Sequence, residues 1–197
     1  MIVKKMPILQ GFPDFETVKF FTGKFFQKYN FTPVFYDIET TGLSRNSTYL
    51  YLIGAVGIED ETWNFYQWMA ENANEEETIL RIFSQFLQQC NLLISYNGAR
   101  SAQPYLEARY EKYGIPSPFT GKQSLDLYLT LKPLKSLLKL SAMKQPCMEE
   151  FLGIKDRIYD NGKECIKLYK DFLKKNEIWF RNPTSLSCLI VKGNKSR

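Results

Sequence analysis

An α/β fold is expected for this chain, with a mixed sheet of five strands flanked by helices. Three observations predict it. Three β-rich runs follow one another between residues 33 and 68, separated by polar turns. Between residues 92 and 126 the pattern becomes strand, helix, strand, the grammar of a parallel crossover unit. Apolar residues recur at helical spacing at Ile79, Ile82, Phe83, Phe86 and Leu87, and again at Ile166, Leu168, Tyr169 and Phe172.

Taken in order, residues 1–30 read as a lead-in, a loop punctuated by Pro7, Gly11 and Pro13 and then a helix. Pro13-Asp14 opens that helix, which is expected to run to about Tyr29 although Gly23 weakens it. Its aromatic stripe of Phe20, Phe21, Phe25 and Phe26 is expected to pack on the domain. Residues 31–176 form the main domain. The first strand carries Asp37 and Glu39 and stops at Thr40-Thr41-Gly42. The second spans residues 49–58. The third spans 62–68, with Trp63, Phe65 and Gln67 on one face. Asn74 with Glu77 has the form of a capping box for the next helix.

Residues 92–95 are a short buried strand, Asn97-Gly98 a turn, and Pro104 fits the first turn of a helix stopped by Gly114. Ser124-Leu125-Asp126 ends a strand or enters a helix. Amphipathic helices are expected over 141–152, ended by Gly153, and over 163–175. Residues 177–197 form a divergent basic tail carrying Arg181, Lys192, Lys195 and Arg197, and 187–191 are apolar enough for a further strand.

The 197 residues contain no histidine, which excludes histidine acid–base catalysis, Ser-His triads and His-ligated zinc. Cys90, Cys147, Cys165 and Cys188 are widely spaced and fit free thiols of a reducing compartment. No apolar run is long enough for a membrane span and no signal peptide is evident, so a cytoplasmic location without membrane association is expected. The net charge of +5 permits a polyanionic partner without demanding one.

The chemistry concentrates at Asp37 and Glu39. Residues two apart on a strand share a face, so these carboxylates repel unless a cation lies between them. Hard oxygen ligands in that arrangement suit Mg²⁺ or Mn²⁺; the alternative is a solvated acidic strand face. Asp126 reads either as a helix cap or as a further acid within reach of the same site. Arg100, Arg109, Lys132, Lys135 and Lys139 are candidate phosphate contacts or simply solvated surface.

Asp37-Ile38-Glu39-Thr40-Thr41-Gly42-Leu43 resembles the first motif of the DnaQ-like 3′–5′ exonucleases of the ribonuclease H-like superfamily. Tyr51-Leu52-Ile53-Gly54, Tyr96-Asn97-Gly98 leading to Pro104-Tyr105-Leu106, Ser124-Leu125-Asp126 and Phe151-Leu152-Gly153-Ile154 extend the resemblance to the YprB-like branch, over roughly residues 31–175. The resemblance implies a ribonuclease H-like fold and metal-dependent phosphodiester hydrolysis at a nucleic-acid 3′ end, DNA or RNA. In that family four acids hold two cations. Asp37 and Glu39 match the first two, as catalytic metal ligands, with Asp126 a weaker candidate; Thr40, Asn97 and Gly98 are the implied substrate contacts. Ala102 stands where the third acid belongs, and Ser101 where a Phe belongs. The fourth acid, normally in a His-Asn-x-x-Asp or Tyr-x-x-x-Asp pattern, has no counterpart. The resemblance therefore implies impaired hydrolysis, and a non-catalytic module binding nucleic acid or protein is the alternative.

Overall fold

The computed structural model describes residues 1–8, 14–26, 31–153 and 162–175. The sheet is mixed, as expected, but has six strands rather than five, in the order β1-β4-β3-β2-β5-β6. These are β1 (Ile2–Pro7), β2 (Pro33–Thr40), β3 (Leu50–Glu59), β4 (Thr62–Met69), β5 (Leu92–Ser95) and β6 (Gln123–Asp126). The additional strand is β1, read from sequence as loop. It lies antiparallel along β4, with Ile2 opposite Met69. Its alternation is weak because most of it is exposed at the sheet edge, so nothing in its polarity marks it as a strand. Lys4 and Lys5 on that edge discourage pairing with other chains.

Strands β2, β3 and β4 form the antiparallel meander; β2, β5 and β6 run parallel. The carboxyl ends of β2, β5 and β6 therefore share one rim of the sheet. Helices α2 (Glu76–Phe86) and α3 (Ala102–Lys112) cover one face. There Tyr36, Ile53, Phe83, Leu106 and Tyr110 make the main core. The opposite face carries α1 (Phe15–Phe26), whose Val18 joins Val56 and Trp63, and α6 (Gly162–Lys175), whose Tyr169 and Phe172 pack on Tyr51, Leu52 and Met69. Tyr51 and Tyr169 stack with centroids 3.9 Å apart. Both faces of β4 are thus covered, and Trp63 and Gln67 are as buried as Asn64 and Trp68.

Some local expectations need correction. Phe20 and Phe21 are 53% and 65% exposed, so the α1 aromatics do not all face the domain; Val18 and Thr22 do. Phe25 and Phe26 have side chains outside the described residues. The cap before α2 is Asn72, whose side chain accepts the Asn74 N–H at 3.0 Å and opens a single 3₁₀ turn. Of the two asparagines in 72–77 the spacing to Glu77 favours Asn74, but the 3₁₀ turn that precedes α2 places the cap at Asn72. The helix expected over 141–152 is shorter: α5 (Gln145–Phe151), begun by Pro146 and followed by Gly153 at φ 75°. The tail strand at 187–191 and the family segment around Ile154 lie outside the described residues.

Candidate functional site

Asp37 and Glu39 sit half-buried near the carboxyl end of β2, opposite Gly54 and Leu52 of β3. Strand alternation puts both on the face of Phe35, which packs edge-on to Trp63 in the α1 cluster at 5.9 Å. Beyond them the face passes to α6. A Cβ added at Gly162, the first residue of α6, would lie 3.9 Å from Glu39 Oε2. The two acids thus lie along the stretch of β2 between α1 and α6. Asp37 Oδ1 accepts the Ile38 N–H at 2.8 Å. The pairing register shifts between Glu39 and Thr40, and the Thr40 hydroxyl donates to the Gly42 carbonyl at 2.7 Å, closing the turn after the acids.

The loop that follows is tied to α3. Thr48 Oγ1 lies 3.1 Å from the Gly42 carbonyl, 2.5 Å from the Ser44 carbonyl and 2.9 Å from Tyr105 Oη. Deeper down, Arg109 (1% exposed) donates through Nε to Glu76 Oε1 at 2.7 Å and through a second nitrogen to Oε2. Its remaining arm donates to the Arg45 carbonyl at 2.8 Å. Glu76 also accepts the Leu50 N–H at 2.7 Å and the Tyr113 hydroxyl at 2.8 Å. Burial, together with the hydrogen bond to Glu76, raises the Tyr113 hydroxyl above its ordinary range. Arg109 is therefore an internal clamp on the loop beside the acids, not the phosphate contact considered from sequence. Sequence reading missed Glu76 because it is one of three consecutive glutamates, and nothing local marks which of them turns inward.

At the β5 rim, Asn97 adopts a left-handed conformation (φ 61°), a region asparagine tolerates better than most residues. Gly98 is required by contact: a Cβ there would lie 2.3 Å from Ser95 Oγ. Asp126 organises this turn. Its carboxylate accepts the N–H groups of Asn97 and Ala99 at 2.9 and 3.0 Å and caps α4 (Leu127–Leu131) by accepting those of Tyr128 and Leu129 at 3.0 and 3.3 Å. Four backbone donors occupy a carboxylate that is 6% exposed, which is the capping role weighed from sequence. Ala102 begins α3 and is 3% exposed, its methyl group part of the main core. Tyr36, on the reverse face of β2 from the acids, packs on Phe83 and Phe119; burial, then the Asp37 charge, pushes its hydroxyl up.

Among the described residues, no three Asp, Glu, Cys or His side chains group to hold a metal ion. The donor chemistry of Asp37 and Glu39 fits one hard cation, but the described residues do not fit a two-cation centre. An open cavity of about 590 Å³ lies beside β6, lined by Ala99, Gln103, Glu107, Asp126 and Leu129 among others. No helix among the described residues is long and apolar enough to cross a membrane.

Comparison with known proteins agrees with this architecture. No curated protein sequence matches the chain. Among solved structures, a family B DNA polymerase from the hyperthermophilic archaeon Pyrobaculum calidifontis superposes with a TM-score of 0.60 at 16% identity. That match covers 75% of this chain and 22% of the polymerase. Exonuclease I superposes with a TM-score of 0.53 at 11% identity, over 64% of this chain and 36% of the enzyme. The chain thus spans well under half the length of either, and at these identities the likeness is one of fold. A family model described as the RNase_H superfamily matches residues 34–182. That match takes in the acid-bearing strand, the rim turns and α6, and by it the chain belongs to the RNase_H superfamily.

Proposed function

We propose that this domain engages the 3′ end of a single nucleic-acid strand at the rim bearing Asp37 and Glu39, and that 3′–5′ phosphodiester hydrolysis by it is strongly impaired. The observation that carries the reading is the condition of the third-acid position and of the one acid weighed as a substitute. Ala102 is an apolar core residue, and Asp126, the candidate substitute, is committed to four backbone donors. Asp37 and Glu39 would remain to hold a single Mg²⁺ or Mn²⁺; removing one electrostatic group from a hydrolytic site typically costs about 10²–10³ in rate. In this reading Thr40 fixes the turn after the acids, while Asn97 and Gly98 shape the rim where the strand end would lie.

A second reading, a purely binding module that needs no cation, is favoured by Asp126, whose carboxylate ties the Asn97–Ala99 turn to α4 through backbone hydrogen bonds. Thermal denaturation with and without Mn²⁺ separates the two. The first reading expects a rise in Tm that Asp37→Asn abolishes, since a cation bound only by the folded state stabilises it. No rise in the parent chain favours the binding module.

A further inference from the structure

Between Asp126 and Glu149 the sequence contains four lysines, at 132, 135, 139 and 144, and no acid. All four are exposed, and none has an acidic partner among the described residues. The segment is fixed to the sheet rim at both ends. Asp126 caps α4 at its start, and the Tyr96 hydroxyl donates to the Met143 carbonyl at 2.7 Å near its end. Because β2, β5 and β6 are parallel, that is the rim where Asp37 and Glu39 lie. Aromatic rings accompany the lysines: Tyr96 and Tyr128 meet edge to face at 6.0 Å, and Lys132 Nζ stands 6.0 Å from the Tyr128 ring centre.

One lysine carries a conformational cost. Lys139 has φ 52°, closing the turn in which the Leu140 N–H donates to the Lys135 carbonyl at 3.1 Å. A left-handed position of this kind favours glycine or asparagine and disfavours lysine. A residue held against its backbone preference points to a use for its side chain.

We infer that the 127–144 segment is a binding track for the phosphates of a single nucleic-acid strand, leading to the rim of the acids. The inference rests on the functional reading above and adds to it the residues that supply affinity. Unpaired ammonium groups interleaved with half-buried tyrosines are the chemistry of a single-strand track: phosphates meet lysines, and bases have aromatic faces to rest on. Leu134 and Leu137, 41% and 76% exposed, flank the lysines and would equally suit an acidic, apolar protein segment. The tyrosines and the position at the shared rim favour nucleic acid.

The test is fluorescence anisotropy of a 5′-labelled oligothymidylate without divalent cation, titrated with the parent chain and with the Lys132→Gln, Lys135→Gln, Lys139→Gln, Lys144→Gln quadruple variant over a range of KCl concentrations. The slope of log affinity against log salt should fall by about 3, since each lost phosphate contact on a single strand removes about 0.7. Lys139→Gly alone should raise Tm by about 2–4 °C while weakening binding. A parent chain that binds with a slope unchanged in the quadruple variant overturns the track and leaves the functional reading standing. A parent chain that binds the oligonucleotide only once Mn²⁺ is added overturns the track alone, and one that binds in neither condition overturns both.

Discussion

Replacing Glu76 by Gln should be among the most damaging single changes in the described fold. The substitution conserves size but removes the charge that Arg109 needs. Both side chains are almost wholly buried, at 0% and 1% exposure, so water cannot take the carboxylate's place. Four donor contacts converge on it: two from Arg109, one from the Leu50 N–H and one from the Tyr113 hydroxyl. Gln presents one acceptor oxygen in place of two, and its NH₂ faces the guanidinium or the tyrosine hydroxyl. Breaking a buried pair by removing one partner costs about 3–5 kcal/mol. That is a large part of the roughly 5–15 kcal/mol by which a domain is stable. For a chain of this length the loss corresponds to about 6–20 °C in Tm. The assay is urea denaturation followed by tryptophan fluorescence, with Arg109→Met as the reciprocal change. Arg109→Met should also free the loop held through the Arg45 carbonyl and speed amide exchange over residues 44–48. If both variants lose less than about 1 kcal/mol, the pair is not the clamp described.

Three further outcomes follow from the same geometry. Gly98→Ala should cost about 1–3 kcal/mol, because its Cβ would fall 2.3 Å from Ser95 Oγ and 2.6 Å from Ser95 Cβ, and combining it with Ser95→Gly should recover part of the loss. Ala102→Asp places an unpaired carboxylate in the main core and should lower stability by about 2–4 kcal/mol at neutral pH, with Mn²⁺ restoring part of it if Asp37 and Glu39 share the ion; calorimetry with and without the metal reads both effects. Burial pushes the Cys90 thiol up to about 11 from 9.0. The protonated thiol is favoured in the fold, so its contribution is intact below about pH 9 and is lost as pH rises through 11. At pH 8, mapped alkylation should therefore label the half-buried Cys147 and Cys165 well before Cys90.

The parts of the fold with strong periodicity were legible from the chain itself. The meander, the α2 stripe ending in Phe83 and Phe86, and the turn at Asn97-Gly98 each announce themselves through spacing or turn chemistry. Features decided by tertiary contact were not. β1 has almost no buried residues to alternate, and its pairing with β4 comes from the edge it covers. Phe20 and Phe21 satisfy a helical apolar pattern yet face outward, because α1 turns Val18 and Thr22 to the sheet instead. At the site, the common face of Asp37 and Glu39 follows from strand parity, and the capping role of Asp126 was one of two readings open from its position before a helix. The inward turn of Glu76 was invisible, since its partner is 33 residues away in the chain. Arg109 looked like any surface arginine for the same reason.

The central claim is that the rim still receives a strand end while its hydrolytic centre is depleted at Ala102. The measurement that bears on it most directly is a degradation time course on a 5′-labelled single-stranded oligonucleotide with Mn²⁺, comparing the parent chain, Asp37→Asn and Ala102→Asp. The account predicts little or no shortening by the parent chain and none by Asp37→Asn, with any gain of activity confined to Ala102→Asp. Rapid 3′–5′ shortening by the parent chain that disappears in Asp37→Asn would contradict it, because the centre would then be complete without an acid at position 102.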